Sequence, residues 1–235
     1  MNIKEAKVVV TGGTSGIGYE IAKHLKNEGA KVIVSGRDQE KLDKVQKELD
    51  VLVFKAEMKS EEELISLFEY AEKEMDGYNV LINNAGMGVF GELTETSTAD
   101  FTEVWEVNTK GLFIAGREAA KHFKKEQYGN IINISSSSGV KGHAKGSAYC
   151  ASKFAVSGLT EVWRTELRPY NVRVMQINPS EVVTDFFSKL GVDQQVDDNK
   201  LRPSEIAHVV SAMLSMNDVG FITDAAVWAT NPWGK

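Results

Sequence analysis

Tyr149 and Lys153 stand four residues apart in Tyr149-Cys150-Ala151-Ser152-Lys153, and Ser136 lies thirteen residues before the tyrosine. On a helix this spacing brings phenol and ammonium to one face, where a cation favours loss of the phenolic proton. Tyr149 is therefore a candidate proton donor and acceptor. A serine hydroxyl arriving from a separate strand can hold a carbonyl oxygen beside it, which makes the trio a site for reducing ketones or oxidising alcohols. Taken alone, the same spacing also suits a solvated pair on a surface helix, so its weight comes from what precedes it.

Near the start of the chain the run Lys7 to Val10 leads into Thr11-Gly12-Gly13-Thr14-Ser15-Gly16-Ile17-Gly18, followed by an amphipathic stretch with Ile21, Ala22 and Leu25 that ends at Gly29. A β-branched strand entering a glycine turn that opens a helix aims backbone N–H groups and the helix dipole at a phosphate. A plain turn also uses glycine, but strand, turn and helix occur here in the order a dinucleotide site requires.

The elements that must position these groups are legible as strand-like runs at Val32 to Ser35, Val51 to Phe54, Val80 to Asn83, Ile131 to Ser135 and Val172 to Asn178, separated by helical periodicity. Such alternation predicts an α/β fold: a doubly wound parallel sheet with helices on both faces and right-handed crossovers, the Rossmann arrangement. Ligands then bind beyond the carboxyl ends of the strands. Asp38 is expected to cap a helix carrying Leu42, Val45 and Leu49, and Ser60 with Glu63 reads as a capping box before Leu64 and Phe68. A continuous helix is expected from Ser97 to Lys125, and another from Ser204 to Met216.

The 235 residues fit a single domain, with no repeat or linker to suggest a second. A net charge of -6 from intermixed acids and bases offers no basic face for nucleic acid. Cys150 is the only cysteine, so an internal disulfide is impossible and a reducing compartment is expected. On a helix Cys150 is rotated away from the tyrosine face and reads as a packing residue. With the first strand starting near Lys7 and no long apolar run, neither a signal peptide nor a membrane span is expected, and the reading is a cytoplasmic protein that binds no metal.

In order along the chain, Thr11 to Gly18, Asn83-Asn84-Ala85-Gly86, Asn108, Ser136, Tyr149 with Lys153, and Asn178-Pro179 through Thr184 together resemble the short-chain dehydrogenase/reductase family, from Lys7 to about Thr184 and more loosely beyond. The resemblance implies a catalytic set of Asn108, Ser136, Tyr149 and Lys153, with Asn108 holding a water that connects to the lysine. It implies cofactor contacts from Gly12, Thr14, Ser15, Gly16, Ile17 and Gly18, from Glu57, Asn84, Ala85 and Gly86, from Asn108, Tyr149 and Lys153, and from Pro179, Val182 and Thr184. Glu57 stands where the family has Asp, and Ser180 where it has Gly. Asn108 sits among Val104, Trp105 and Leu112, unusual company for a helix Asn; a place on the solvent face is its other reading.

Cofactor choice is read at the tip of the second strand, Ser35-Gly36-Arg37-Asp38. An acid there hydrogen-bonds the ribose hydroxyls, whereas an arginine offers a charged fork to a 2′-phosphate. Gly36 occupies the family's acidic place and Arg37 follows, so NADP is expected. The other reading makes Arg37 a solvated turn residue and lets Asp38 reach the ribose.

Residues 185–202 carry Phe186, Phe187 and Leu190 in a stretch without periodicity, where the family has its substrate lid; a short packed helix is the alternative. His143 is either a substrate contact or a surface-loop histidine. The expected function is NADP-dependent interconversion of a small-molecule carbonyl and a secondary alcohol, with a catalytically silent NADP-binding sensor as the other class. By resemblance a homo-oligomer, dimer or tetramer, is expected through the two long helices.

Overall fold

A computed structural model describes residues 1–188 and 199–232, without the side chains of Phe187 and Ser188. The β-branched runs all form strands: β1 Lys7–Thr11, β2 Lys31–Gly36, β3 Leu52–Lys55, β4 Val80–Asn83, β5 Gly129–Ile134 and β6 Val172–Pro179, followed by β7 Asp224–Val227 near the end of the chain. They join in one parallel sheet of order β3-β2-β1-β4-β5-β6-β7. The intervening helices are α1 Gly16–Asn27, α2 Gln39–Leu49, α3 Glu61–Met75, α4 Thr98–Trp105, α5 Leu112–Glu126, α6 Ser147–Leu167, α7 Asp185–Ser188 and α8 Pro203–Ser215.

Alternation along the strands explains the two layers of helices. Val8 and Val10 face one core with Val32, Val34 and Ile82, where α1, α2 and α8 deliver Ile21, Leu25, Leu42, Ile206 and Val210. Val9 faces the opposite core with Ile33, Leu81 and Ile131, where α3, α5 and α6 deliver Leu64, Phe68, Ala115, Phe123, Val156 and Trp163. A parallel sheet covered on both sides must be apolar on both, and β1, β4, β5 and β6 are buried almost throughout. This is the expected doubly wound α/β architecture.

Local signals hold with two corrections. Asp38 caps α2 by accepting from the Lys41 N–H at 3.2 Å, and Ser60 caps α3 by accepting from the Glu63 N–H at 3.3 Å. The Glu63 carboxylate does not return to Ser60; it accepts from the Glu57 N–H at 2.7 Å, so only half of the capping box forms. The expected continuous helix from Ser97 to Lys125 is instead α4, a π-helical segment Glu106–Gly111, and α5. Val107, Asn108, Thr109 and Gly111 are all buried within that segment. Asn108 there spends its amide on Met87 and Ser152, partners from outside the helix that periodicity does not encode.

Candidate active site

The chain departs from β1 to β2 on one side and to β4 on the other, so a crevice opens above the carboxyl ends of β1 and β4. The glycine turn lies at that point, with Gly12 and Gly16 in left-handed backbone at φ 65 and 57. Asn84 fastens it: its amide donates to the carbonyls of Thr11 at 3.1 Å and Gly12 at 2.9 Å. Thr11 answers through its hydroxyl oxygen, which accepts from the N–H groups of Asn84 at 3.1 Å and Ala85 at 3.2 Å. A Cβ on Gly18 would collide with the Gly12 carbonyl and the Asn84 amide, so only glycine lets α1 approach this closely. Thus Asn84 acts on the turn itself, a role invisible in its local sequence. Replacing it with Ala leaves two carbonyls short of a donor and is expected to lower stability by about 1–3 kcal/mol, read from the denaturant midpoint.

Side chains of Asp38, Ser60 and Ser97 cap α2, α3 and α4, whereas Ser15 at the start of α1, like the residues that open α5 and α6, makes no side-chain cap bond. The first N–H groups of α1 therefore have no acceptor from the side chain of Ser15, a condition that an anion-binding terminus needs. From the far side, the Thr184 methyl comes within 3.3 Å of where a Cβ on Gly16 would stand. Pro179 ends β6, and Val182 is buried and bridged to Leu201. The departing residue Glu181 pairs with Lys200 at 2.8 Å, so both ends of the 185–202 segment are tied together.

At the tip of β2, Arg37 is exposed and makes no hydrogen bond or ion pair among the described residues, whereas Asp38 is occupied by its cap. A Cβ on Gly36 would meet the Thr14 methyl at 2.8 Å, which leaves no room for an acidic side chain with Thr14 as it stands. Glu57 is half-buried at the end of β3, its backbone tied to α3.

Ser136, Tyr149 and Lys153 converge above β5. Ser136 begins a tight 3₁₀ turn, Ser137–Gly139, and its oxygen accepts from the Ser138 N–H at 3.1 Å. Tyr149 and Lys153 occupy successive turns at the start of α6, with the ammonium nitrogen 5.8 Å from the phenol ring centre. Lys153 is buried and donates to the Ile134 carbonyl at 3.0 Å. Burial pushes its ammonium down to about 8. Burial likewise pushes the Tyr149 phenol up to about 12, with Ser136 partly opposing by hydrogen bonding. The expectation that the cation depresses the phenol is thus reversed: desolvation outweighs an ammonium turned toward Ile134.

Asn108 is buried, which excludes its solvent-face reading. Its amide oxygen accepts from the Met87 N–H at 2.8 Å, and its nitrogen donates to the Met87 carbonyl at 2.8 Å and to the Ser152 hydroxyl at 3.0 Å. A Cβ on Gly86 would lie 3.4 Å from the Asn108 oxygen and 3.6 Å from the Lys153 nitrogen, so the π segment, the end of β4 and α6 meet at one point. Below it, Asn83 donates to Asn133 at 2.9 Å and Asn133 to Thr160 at 2.8 Å, a buried polar chain that locks β4, β5 and α6 together.

Two aromatic rings flank Tyr149, Phe90 at 5.3 Å and Phe186 at 5.7 Å between centres. Phe90 carries no local sequence signal; the loop after β4 alone brings it here. Phe186 belongs to the expected lid and lies on α7; residues 189–198 of that segment, and the Phe187 side chain, lie outside the description. Cys150 is buried, as expected of a packing residue. Among the described residues no cluster of His, Cys, Asp and Glu is arranged to hold a metal, and no helix is long and apolar enough to cross a membrane.

The family model for short chain dehydrogenases matches residues 6–195, a span that holds the glycine turn, Ser136, Tyr149 and Lys153. The chain belongs to the short-chain dehydrogenase family. Relatives in this family include an uncharacterized oxidoreductase of Staphylococcus saprophyticus, 32% identical over 224 residues that cover 89% of this chain and 90% of the relative. Nodulation protein G of a Rhizobium species is 32% identical over 230 residues, covering 94% of each chain. Among solved structures, an alcohol dehydrogenase from the archaeon Thermococcus sibiricus complexed with 5-hydroxy-NADP superposes with a TM-score of 0.87 at 25% identity, covering 98% of this chain and all (100%) of that one. The actinorhodin polyketide ketoreductase with NADPH superposes at 0.88 with 26% identity, over 100% of both chains. As a short-chain dehydrogenase the protein is an oxidoreductase acting on alcohol and carbonyl groups.

Proposed function

We propose that this short-chain dehydrogenase is an NADP-dependent carbonyl reductase and alcohol dehydrogenase in which Tyr149 moves the proton. The observation that carries the reading is the convergence of Ser136, Tyr149 and Lys153 beside a helix terminus lacking a side-chain cap. The Gly12–Gly18 turn and the first N–H groups of α1 hold the pyrophosphate, Asn84, Ala85 and Gly86 shape the wall next to it, and Pro179, Val182 and Thr184 close the nicotinamide side. When bound, the nicotinamide gives or takes the hydride. Ser136 donates a hydrogen bond to the substrate oxygen, and Tyr149, protonated at neutral pH, gives that oxygen its proton. Lys153 holds the nicotinamide ribose, and together with a water held at Asn108 it relays the replacement proton. A sensor would need the glycine turn but not this proton donor.

Arg37 and the space denied at Gly36 support NADP over NAD, as do the NADP-type ligands of both structural neighbours. Losing a charge-assisted contact to the phosphate costs about 1.5–3 kcal/mol. Arg37→Ala is therefore expected to weaken NADPH binding at least about tenfold with little change for NADH, measured by fluorescence titration of both. Equal affinity of the parent protein for the two would overturn the assignment. The activity itself is tested by following NADPH consumption over a panel of ketones, oxoacyl thioesters, oxo acids and quinones.

Exposed Phe101, Trp105 and Phe113 on α4 through α5, with Phe154 and Val162 on α6, support pairing of two copies through these helices. The single, buried Cys150 is consistent with a reducing cytoplasm.

A further inference from the structure

Ser138 and His143, two residues the proton chemistry does not use, form a hydrogen-bonded pair at the same site. Ser138 is buried two positions after Ser136, and its hydroxyl lies 3.1 Å from His143 Nε2. The other ring nitrogen, Nδ1, lies 2.9 Å from the Ala144 carbonyl oxygen, an atom that only accepts. In the neutral imidazole the proton is therefore on Nδ1, and Nε2 accepts from Ser138. Having given its only proton to His143, the Ser138 oxygen retains lone pairs and no donor. The pair also lies on the substrate side: the Ser138 N–H donates to the Ser136 oxygen, and the His143 ring stacks on Phe90 at 5.9 Å, which in turn packs on Tyr149.

The pocket thus offers two kinds of polar contact. Ser136 and Tyr149 donate to the reacting carbonyl oxygen, whereas Ser138 accepts. We propose that Ser138, oriented by His143, is a specificity-determining acceptor for a hydroxyl on the carbon next to the carbonyl, so that the substrates are α-hydroxy ketones and the products of reduction vicinal diols. This deepens the functional reading above and rests on it. Hydride adds to the carbonyl carbon and the Tyr149 proton to its oxygen; the neighbouring hydroxyl is bound and unchanged. His143 is a positioning residue, since it acts only by taking the Ser138 proton.

The test uses NADPH oxidation with three aryl ketones of nearly the same shape: acetophenone, α-hydroxyacetophenone and α-methoxyacetophenone. The hydroxy ketone is expected to exceed the methoxy ketone in kcat/KM by about fivefold to tenfold, the value of one hydrogen bond, mostly through KM. Ser138→Ala should remove that ratio. His143→Phe keeps a ring against Phe90 but frees the Ser138 proton for donation, so the ratio should invert in favour of the methoxy ketone, which a merely structural role for His143 would not produce. His143→Gln, whose amide oxygen can accept, should restore part of the preference. Should Ser138→Ala fail to fold, His143→Phe decides alone. Turnover of all three ketones with equal ratios in the parent and in His143→Phe would overturn the proposal while leaving the carbonyl-reductase reading intact. No turnover of these ketones or of any carbonyl in the wider panel would overturn both.

Discussion

Tyr149→Phe is expected to lower carbonyl reduction by at least about a hundredfold, in line with the loss of a positioned general acid. Cofactor affinity and thermal midpoint should stay close to those of the parent, because the ring keeps its contacts with Phe90 and Phe186 and only the hydroxyl is lost. The pH dependence has a direction that follows from the phenol being pushed up to about 12 in the free protein. Reduction uses the protonated phenol, so its rate should not fall as pH rises through neutrality on account of Tyr149. Oxidation uses the deprotonated phenol, which becomes more abundant with each step in pH below that value, so alcohol oxidation should accelerate with rising pH and the acceleration should vanish in Tyr149→Phe. Rates of both directions measured across the alkaline range check this. A variant retaining most of the parental rate would show that the proton comes from another group.

Lys153→Met is expected to abolish activity and yet stabilise the ligand-free protein at neutral pH. Burial lowers the ammonium from an ordinary 10.5 to about 8, so the folded state holds this proton less tightly than the unfolded one. Below pH 8 both states are protonated and the full penalty is present; between pH 8 and 10.5 the folded state releases the proton first and stability rises. A shift of this size corresponds to about 3 kcal/mol. Losing the hydrogen bond to the Ile134 carbonyl returns roughly 1 kcal/mol of that. The net gain for Lys153→Met is therefore about 2 kcal/mol at pH 7, and the alkaline rise in stability should be missing from its denaturant midpoints. Lower stability of the variant at neutral pH would show that the ammonium is better solvated than its surroundings suggest.

Much of this molecule is decided by residues within a few positions of one another. The unbroken β-branched run Val8, Val9 and Val10 suffices to predict a strand buried on both sides, and the glycine turn between that strand and Ile21 announces the start of a helix, because both depend on local backbone geometry. The spacing of Tyr149 and Lys153 likewise holds, since one helix turn fixes it. Tertiary structure decided what depends on the neighbourhood of a side chain. The π turn at Asn108 could not be read from periodicity, because the partners that hold Asn108, Met87 and Ser152, are distant in the chain. Asn84 has the same local surroundings whether it touches a ligand or the glycine turn, and only the adjacency of β1 and β4 gives it the Thr11 and Gly12 carbonyls. Phe90 reaches Tyr149, and His143 reaches Ser138, through loops whose paths have no periodic signature. The sign of the Tyr149 shift was also beyond the sequence: the nearby cation is visible in the spacing, but desolvation depends on everything packed around the hydroxyl, and here desolvation prevails.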